Sequence, residues 1–318
     1  MAPLHRPETA FVLSGGASLG AVQAGMLRAL YERGIRPDVI VGTSAGALNG
    51  AFIASRPQTV ATAEELGDVW RGLRRGSVFP LDPFSGLLGF LGGRDHLVPA
   101  RGLARLIRRH TDHDLIEQLP IPLHVVAVDV VTGEELLLSA GPLCEAVLAS
   151  ASIPGVFAPI AWGERLLMDG GVANNAPISH AVALGAQRIF VLPTGHACRL
   201  EHPPRGALEV ALQALSLLTQ RRLMEDIERH RGELPLVVLP PPCPLGVTPF
   251  DFSHAGELIE RSLQDARAFL DAGGAEQPPI RMRTHEHPAP AAVSRRSGRE
   301  SRAPRSRRTR PAVAPPAG

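Results

Sequence analysis

Two short patterns in this chain carry residue types that do acyl chemistry. The first is Gly42-Thr43-Ser44-Ala45-Gly46. It follows the β-branched run Val39-Ile40-Val41, which reads as a buried strand, and leads into residues that favour a helix. A serine on a tight strand-to-helix turn stands clear of the sheet with its hydroxyl exposed. Gly42 and Gly46 suit such a turn, because a side chain at either would strike the neighbouring strand or helix. The serine also falls at a helix N-terminus, where unpaired N–H groups favour developing negative charge. The five residues alone would equally suit a Gly/Ser-rich turn without chemistry.

A serine hydroxyl is a poor nucleophile until something takes its proton. Histidine is the usual partner. Of the 12 histidines, none sits in a setting that resembles a catalytic loop. His5, His285 and His287 lie near the ends, His110 and His113 flank a helix end, and His180 lies inside a helix. The second pattern, Asp169-Gly170-Gly171, offers a different base. Asp169 closes a short apolar strand beside two glycines that permit close approach. A carboxylate of pKa about 3.9 is a weak base, but burial raises it. Held against Ser44 in a dry site, it would complete a Ser–Asp dyad. In isolation an Asp-Gly pair reads as an ordinary turn.

A third stretch, Ser14-Gly15-Gly16-Ala17-Ser18-Leu19-Gly20, follows the apolar strand Ala10–Leu13. Phosphate binding in a dinucleotide fold is one use for such a turn. Ala17 in place of the middle glycine, and a nucleophile-type elbow at the end of the next strand, rank that use lower. The other use is an oxyanion hole, in which consecutive small residues turn several N–H groups toward one point.

The elements that must position these residues are legible. A helix from about Leu19 to Arg33, capped by Gly34, joins the first strand to the Ser44 strand, which favours parallel strands with a crossover helix. Helices are expected at 45–55, 63–75, 101–110, 143–150, from Pro177 to Leu184, at 206–231, and at 253–270 with Ser253 as N-cap. Further strands are expected at 122–131, 136–138, 165–168, 188–192 and 236–239. Residues 77–99 are apolar yet broken by proline and glycine, which suits either a lid or interfacial surface or a segment tucked into the core. Arg101–His110 is a basic amphipathic helix that suits anionic headgroups or a solvated face.

Arginine supplies all the basic charge, and it is unevenly placed. From Arg281 onward ten Arg stand against Glu286 and Glu300, a net +8; the rest of the +2 chain therefore carries −6. The Pro/Arg/Ser-rich composition from about Ala272 predicts disorder. Cys144, Cys198 and Cys243 are odd in number and lack C-x-x-C spacing, which argues for a reducing compartment. No secretory signal, transmembrane run or folded nucleic-acid module is read from the sequence. His196, Cys198 and His202 lack a fourth metal ligand at a recognisable spacing.

Taken in order, Gly15–Gly20, Gly42–Gly46, Ala151–Pro159 and Asp169–Gly171, with Asn175 and Pro177 following, resemble the patatin-like phospholipases from Phe11 to about Val191. The resemblance implies an α/β fold, a three-layer α/β/α sandwich with a mostly parallel central sheet. It implies lipid acyl-ester hydrolysis with Ser44 as nucleophile, Asp169 as proton acceptor and the Gly15, Gly16 and Ala17 amides as oxyanion hole. Gly20, Gly42, Gly46, Gly170 and Gly171 complete the motifs. Two positions depart from the family's usual Gly-Gly-Gly-x-Arg/Lys-Gly. Ala17 still presents its N–H if its backbone needs no positive φ. Leu19 removes a charge that would steady an anionic headgroup, so ester hydrolysis is implied more firmly than a phospholipid preference.

The expected organisation is a lead-in at 1–9, a hydrolase domain at 10–271 with a candidate lid or interfacial segment at 76–99, and a disordered tail at 272–318. The expected activity is a cytoplasmic serine lipid acyl hydrolase, peripheral at the inner membrane face, that needs no metal or organic cofactor. Its expected partners are a lipid acyl ester and an anionic membrane surface, with no specific nucleic acid. Three alternatives stay open: an α/β-hydrolase with a Ser-His-Asp triad, a non-catalytic lipid-binding protein on the same fold, and a nucleotide-binding protein.

Overall fold

Apolar residues alternate along the central strands and so build two hydrophobic faces, each needing a helical cover. In the computed structural model, which describes residues 7–79, 98–195, 203, 206–243 and 247–276, both faces are covered. The expectations for residues 80–97, for the tail from 277, and for the His196/Cys198/His202 cluster lie outside the described residues.

Strands β1 (Thr9–Leu13), β2 (Val39–Thr43), β3 (Leu123–Asp129), β4 (Glu135–Leu138), β5 (Ile160–Trp162), β6 (Arg165–Asp169), β7 (Arg188–Leu192) and β8 (Leu236–Val238) form one sheet. The run β3-β2-β1-β7-β8 is parallel throughout. β4 and β6 pair antiparallel with β3, and β5 pairs antiparallel with β6. Phe11, Leu13, Ile40, Val125 and Phe190 point to one face, and Ala10, Val12, Val41, Ile189 and Val191 to the other.

The first face is covered by α1 (Val22–Glu32), α2 (Ala45–Ala54), α3 (Val60–Gly72), the single turn α4 (Arg75–Val78), α5 (Arg101–His110) and α6 (Leu143–Ser150). The second is covered by α7 (Ile178–Ala183) and α8 (Ala207–Arg229), whose Ile178, Ala181, Leu223 and Ile227 join its cluster. α9 (Ala255–Asp271) returns to the first face, where Leu258, Ile259 and Leu263 are buried. The result is a three-layer α/β/α sandwich with a mostly parallel sheet.

Three local details differ from the sequence reading. The helix expected from Leu19 starts at Val22, after a 3-10 turn over Ala17–Ala21 that the glycine-rich stretch enforces. Ser253 does not cap the last helix: its hydroxyl donates to Asp251 Oδ1 at 2.6 Å, and the helix begins at Ala255 without a side-chain cap. Ile160–Trp162 forms a short strand that the flanking prolines masked. No described helix is long and apolar enough to cross a membrane.

A Cβ on Gly46 would sit 2.0 Å from the Leu13 carbonyl oxygen, whereas one on Gly72 would meet nothing within 4 Å. Gly46→Ala is therefore expected to cost about 3 kcal/mol or more, because backbone must move. Gly72→Ala, in the last turn of α3, is expected to gain about 0.5–1 kcal/mol. Thermal melts of the two variants beside the parent check both signs.

Candidate active site

The site begins as a register problem on β3. β4 occupies one edge of β3 across Val125–Val128, so β2 and β6 must share the other. β2 runs parallel to β3 and ends with Thr43 opposite Val126; β6 runs antiparallel and ends with Asp169 opposite Ala127. The two strands thus meet head to head on adjacent residues of β3. Ser44 and Asp169, 125 positions apart in the chain, emerge at that junction.

Ser44 takes φ 53 and ψ −121, a strained turn for a residue with a side chain. Its neighbours hold it there. The Ser44 N–H donates to Ser150 Oγ at 2.8 Å, and Ser150 Oγ donates to the Val126 carbonyl at 2.6 Å. Thr43 Oγ1 donates to the Asn174 carbonyl at 2.9 Å. The Ser44 carbonyl accepts the Ala47 and Leu48 N–H groups and so opens α2.

Asp169 is 6 % exposed, as is Ser44. Its N–H donates to the Ser152 carbonyl at 3.0 Å, which ties the 151–154 segment to the site. Its Oδ1 accepts the Gly171 N–H at 2.7 Å, and its carboxyl lies near enough to the Ser44 side chain for Ser44 to lower its pKa. Burial pushes the carboxyl up to about 6, against the downward pull of Ser44 and of the Gly171 hydrogen bond. A Cβ on Gly170 would lie 2.3 Å from the Val126 carbonyl oxygen, so only glycine lets the chain leave β6 this close to β3. Gly171 follows in the same 3-10 turn.

The glycine-rich turn lies beside Ser44: a Cβ on Gly15 would come within 2.9 Å of Ser44 Cβ. Of the three amides expected to face the oxyanion, that of Gly15 is already engaged, donating to the Asn175 carbonyl at 3.1 Å. Gly15 serves by its lack of a side chain instead. The Gly16 and Ala17 N–H groups meet no acceptor among the described residues. Ala17 takes φ 50, so the proviso that its backbone needs no positive φ fails; the left-handed conformation is adopted despite the methyl group. Gly20 packs against Ala45 and Trp70. Gly42 pairs with Leu13 and Val125, and a Cβ there would meet the Gly46 backbone.

Several residues that support the turn were not singled out from sequence. Gln23, fully buried, donates to the Ser14 and Leu192 carbonyls at 2.9 and 2.8 Å. Asn49 Nδ2 donates to Gln23 Oε1 and to the Gly20 carbonyl, and Trp70 Nε1 donates to Asn49 Oδ1 at 2.9 Å. Thr194 Oγ1 donates to the Gly15 carbonyl at 2.5 Å. The signal for Gln23 was present: a lone amide in register with Met26, Leu27 and Leu30 on a core-facing helix.

Ser44 opens onto a cavity of about 760 Å³, part of it open to solvent. Its lining is nearly all apolar, with Leu48, Phe52, Leu66, Phe79, Ile107 and Phe157 prominent. The one histidine on that lining, His110, lies at the far end beside Phe52. His180 pairs with Glu135 rather than with Ser44. Among the described residues no group of three or more His, Cys, Asp or Glu side chains is arranged to hold a metal ion.

Residues 11–182 match the sequence model of the family described as patatin-like phospholipase. An uncharacterized NTE family protein of Mycobacterium tuberculosis is 28 % identical over 289 residues, covering 82 % of this chain and 46 % of that protein. Another from Mycobacterium bovis is 32 % identical over 181 residues, covering 57 % and 47 %. The chain spans about half the length of these curated relatives. Among solved structures, human GIVD cytosolic phospholipase A2 matches the fold with a TM-score of 0.50 at 12 % identity, over 85 % of this chain and 59 % of that one.

The raised Asp169 pKa has a consequence for stability. Because it exceeds the ordinary 3.8, the protonated carboxyl favours the fold; that contribution is whole below about pH 4 and is lost as pH rises through about 6. Asp169→Asn, which stays neutral, is expected to stabilise the protein at about pH 7.5 by an amount on the order of 2 kcal/mol, fading to nothing near pH 4. Melts of both proteins across that pH range measure it.

Proposed function

The chain belongs to the patatin-like phospholipase family, and from that premise we propose that it hydrolyses lipid acyl esters through a Ser44–Asp169 dyad. The observation that carries this reading is the meeting of Ser44, which lines an apolar cavity, with a buried Asp169 carboxyl whose pKa the Ser44 side chain lowers, at adjacent positions of β3. With a pKa raised to about 6, Asp169 is ionised at neutral pH yet is a stronger base than a solvated carboxylate.

In the first half-reaction Ser44 Oγ bonds to the acyl carbonyl carbon while its proton passes to Asp169. Negative charge gathers on the carbonyl oxygen, which the Gly16 and Ala17 amides and the α2 N-terminus would stabilise. The C–O bond to the alcohol then breaks, and Asp169 returns the proton to the departing oxygen. In the second half Asp169 takes a proton from water, the hydroxide oxygen bonds to the acyl carbon, and the Ser44 ester breaks. Ser44 recovers its proton and the fatty acid leaves. Each step uses side chains and main-chain amides of this chain.

An anionic lipid surface is the proposed setting. The apolar stripe of α5 is spent on the cavity, with Leu103 and Ile107 buried. Arg101, Arg105 and Arg109 remain exposed on its other side, beside Arg108, which pairs with Glu145.

An alkyl fluorophosphonate probe is expected to label the parent protein and not Ser44→Ala. Ser44→Ala and Asp169→Asn are each expected to lose about 10³-fold or more in kcat. In the parent, kcat/KM is expected to fall below an apparent pKa near 6, as protonation removes the base. Labelling that survives Ser44→Ala, or full turnover by Asp169→Asn, would overturn the dyad.

A further inference from the structure

The wall of the cavity that starts at Ser44 is one face of α2: Ser44, Leu48 and Phe52 follow one another at helical spacing. From Ser44 to Phe52 the helix climbs eight residue steps, about 12 Å. The facing wall is α5, on which Ile107 and His110 lie one turn apart and close on Phe52.

The far end is built rather than frayed. The Phe52 ring has the Arg56 guanidinium 3.9 Å from its centroid and the His110 ring, tilted against it, at 6.2 Å. Arg56 Nη1 donates to the Phe52 carbonyl at 3.1 Å and to the His110 carbonyl at 2.9 Å, so it locks the C-terminal ends of α2 and α5 together. The His110 pKa is lowered by burial and then by Arg109 and Arg56. The floor therefore presents an aromatic ring and an imidazole to whatever reaches it.

We propose that this cavity is a length gauge that selects medium-chain acyl groups, with Phe52 and His110 as its floor. The proposal rests on the Ser44 hydrolase reading and adds the class of acyl chain. A fully extended chain advances about 3.5 Å over the three bonds of one residue, or about 1.2 Å per bond. About 12 Å then accommodates about ten bonds, and acyl chains of roughly 8–12 carbons fill it. Up to that length each added methylene gains burial worth about fourfold in kcat/KM; beyond it the chain must fold back or leave its end in water.

The test is a series of p-nitrophenyl esters from butanoate to stearate, presented at one mole fraction in one nonionic detergent. The expected profile peaks between about C8 and C12 and falls about tenfold or more by C18. Phe52→Ala is expected to move the peak outward by about four carbons, and the milder Phe52→Leu by about one or two, each judged on protein whose melt shows it folded. A profile that climbs to C18, or a peak that stays put in folded Phe52 variants, overturns the gauge while leaving the hydrolase reading intact. Ser44→Ala, titrated with decanoate and stearate through Trp70 fluorescence, separates the two ideas. Preference for decanoate without turnover in the parent would remove the hydrolase and keep the gauge; neither turnover nor such preference would remove both.

Discussion

The shared edge of β3 is the constraint on which the rest of the molecule depends. Two strands of opposite direction end on neighbouring residues, Val126 and Ala127, and the chain turns out of the sheet at both ends. A slip of one residue in either strand would send its side chains to the other face of the sheet. Ser44 or Asp169 would then be lost from the junction. The apolar alternation that separates the two core clusters fixes this register, so the burial that stabilises the sheet also brings Ser44 and Asp169 together. The strand gap leaves the Val126 carbonyl in need of a donor, and Ser150 supplies it while receiving the Ser44 N–H.

Around that junction the protein holds groups that would relax if left alone. Ser44 and Ala17 both have positive φ, a conformation that costs a residue with a side chain roughly 1–2 kcal/mol. Asp169 is ionised at neutral pH in a site that favours its neutral form. Such features persist only where the surroundings over-determine them. Here that work falls to buried amides. Gln23, Asn49 and Trp70 form a linked set in which the carbonyls of Ser14 and Gly20, at the two ends of the glycine-rich turn, are both anchored. Removing one partner would strand several buried polar groups at once, so the network is rigid by the cost of breaking it. Trp70 also lines the cavity, so the cavity wall and the turn beside Ser44 share one support.

Sequence carried the local half of this. Alternating or continuous apolar runs gave the parallel strands from β1 to β8, and α6 over Leu143–Ser150 agrees end to end with its spacing. The fold class followed because each β-turn-α unit constrains its own neighbours. What sequence could not carry was pairing between distant elements. Nothing in Arg165–Asp169 says that it shares an edge with β2, since antiparallel addition to β3 depends on β4 having taken the other edge. The apolar stretch from Ser77 to Pro99 was open between lid and core; of its described residues Val78 and Phe79 are buried against the cavity, with Phe79 stacked on Phe157 at 5.2 Å, and Val98 packs half-buried on the same core. Ser253 misled because a serine before a helix has two kinds of local partner, the helix N–H groups that would donate to it and the Asp251 carboxylate that accepts from it, and here it turns to the carboxylate. Gly15 misled for a similar reason: a glycine's amide and its missing side chain are separate assets, and the Asn175 carbonyl claims the amide.

The departure at Ala17 shows how such a site tolerates change. In a turn that relied on its own glycines for shape, alanine at a positive φ would be expected to redirect the amides. Here the turn's carbonyls are pinned from outside: Ser14 by Gln23, Gly15 by Thr194, and Gly20 by Asn49. The anchored carbonyls hold the backbone of the turn on its path while Ala17 carries its methyl group at φ 50. Leu19 fits the same logic, since it packs against the core where a charged side chain would have to reach outward. What the methyl group adds to is the cavity: Ala17 joins its lining beside Ser44, so the third position of the turn adds an apolar surface there. Main-chain geometry and cavity lining are thus set by different parts of one short stretch, and that division lets the side chain vary while the carbonyls stay anchored.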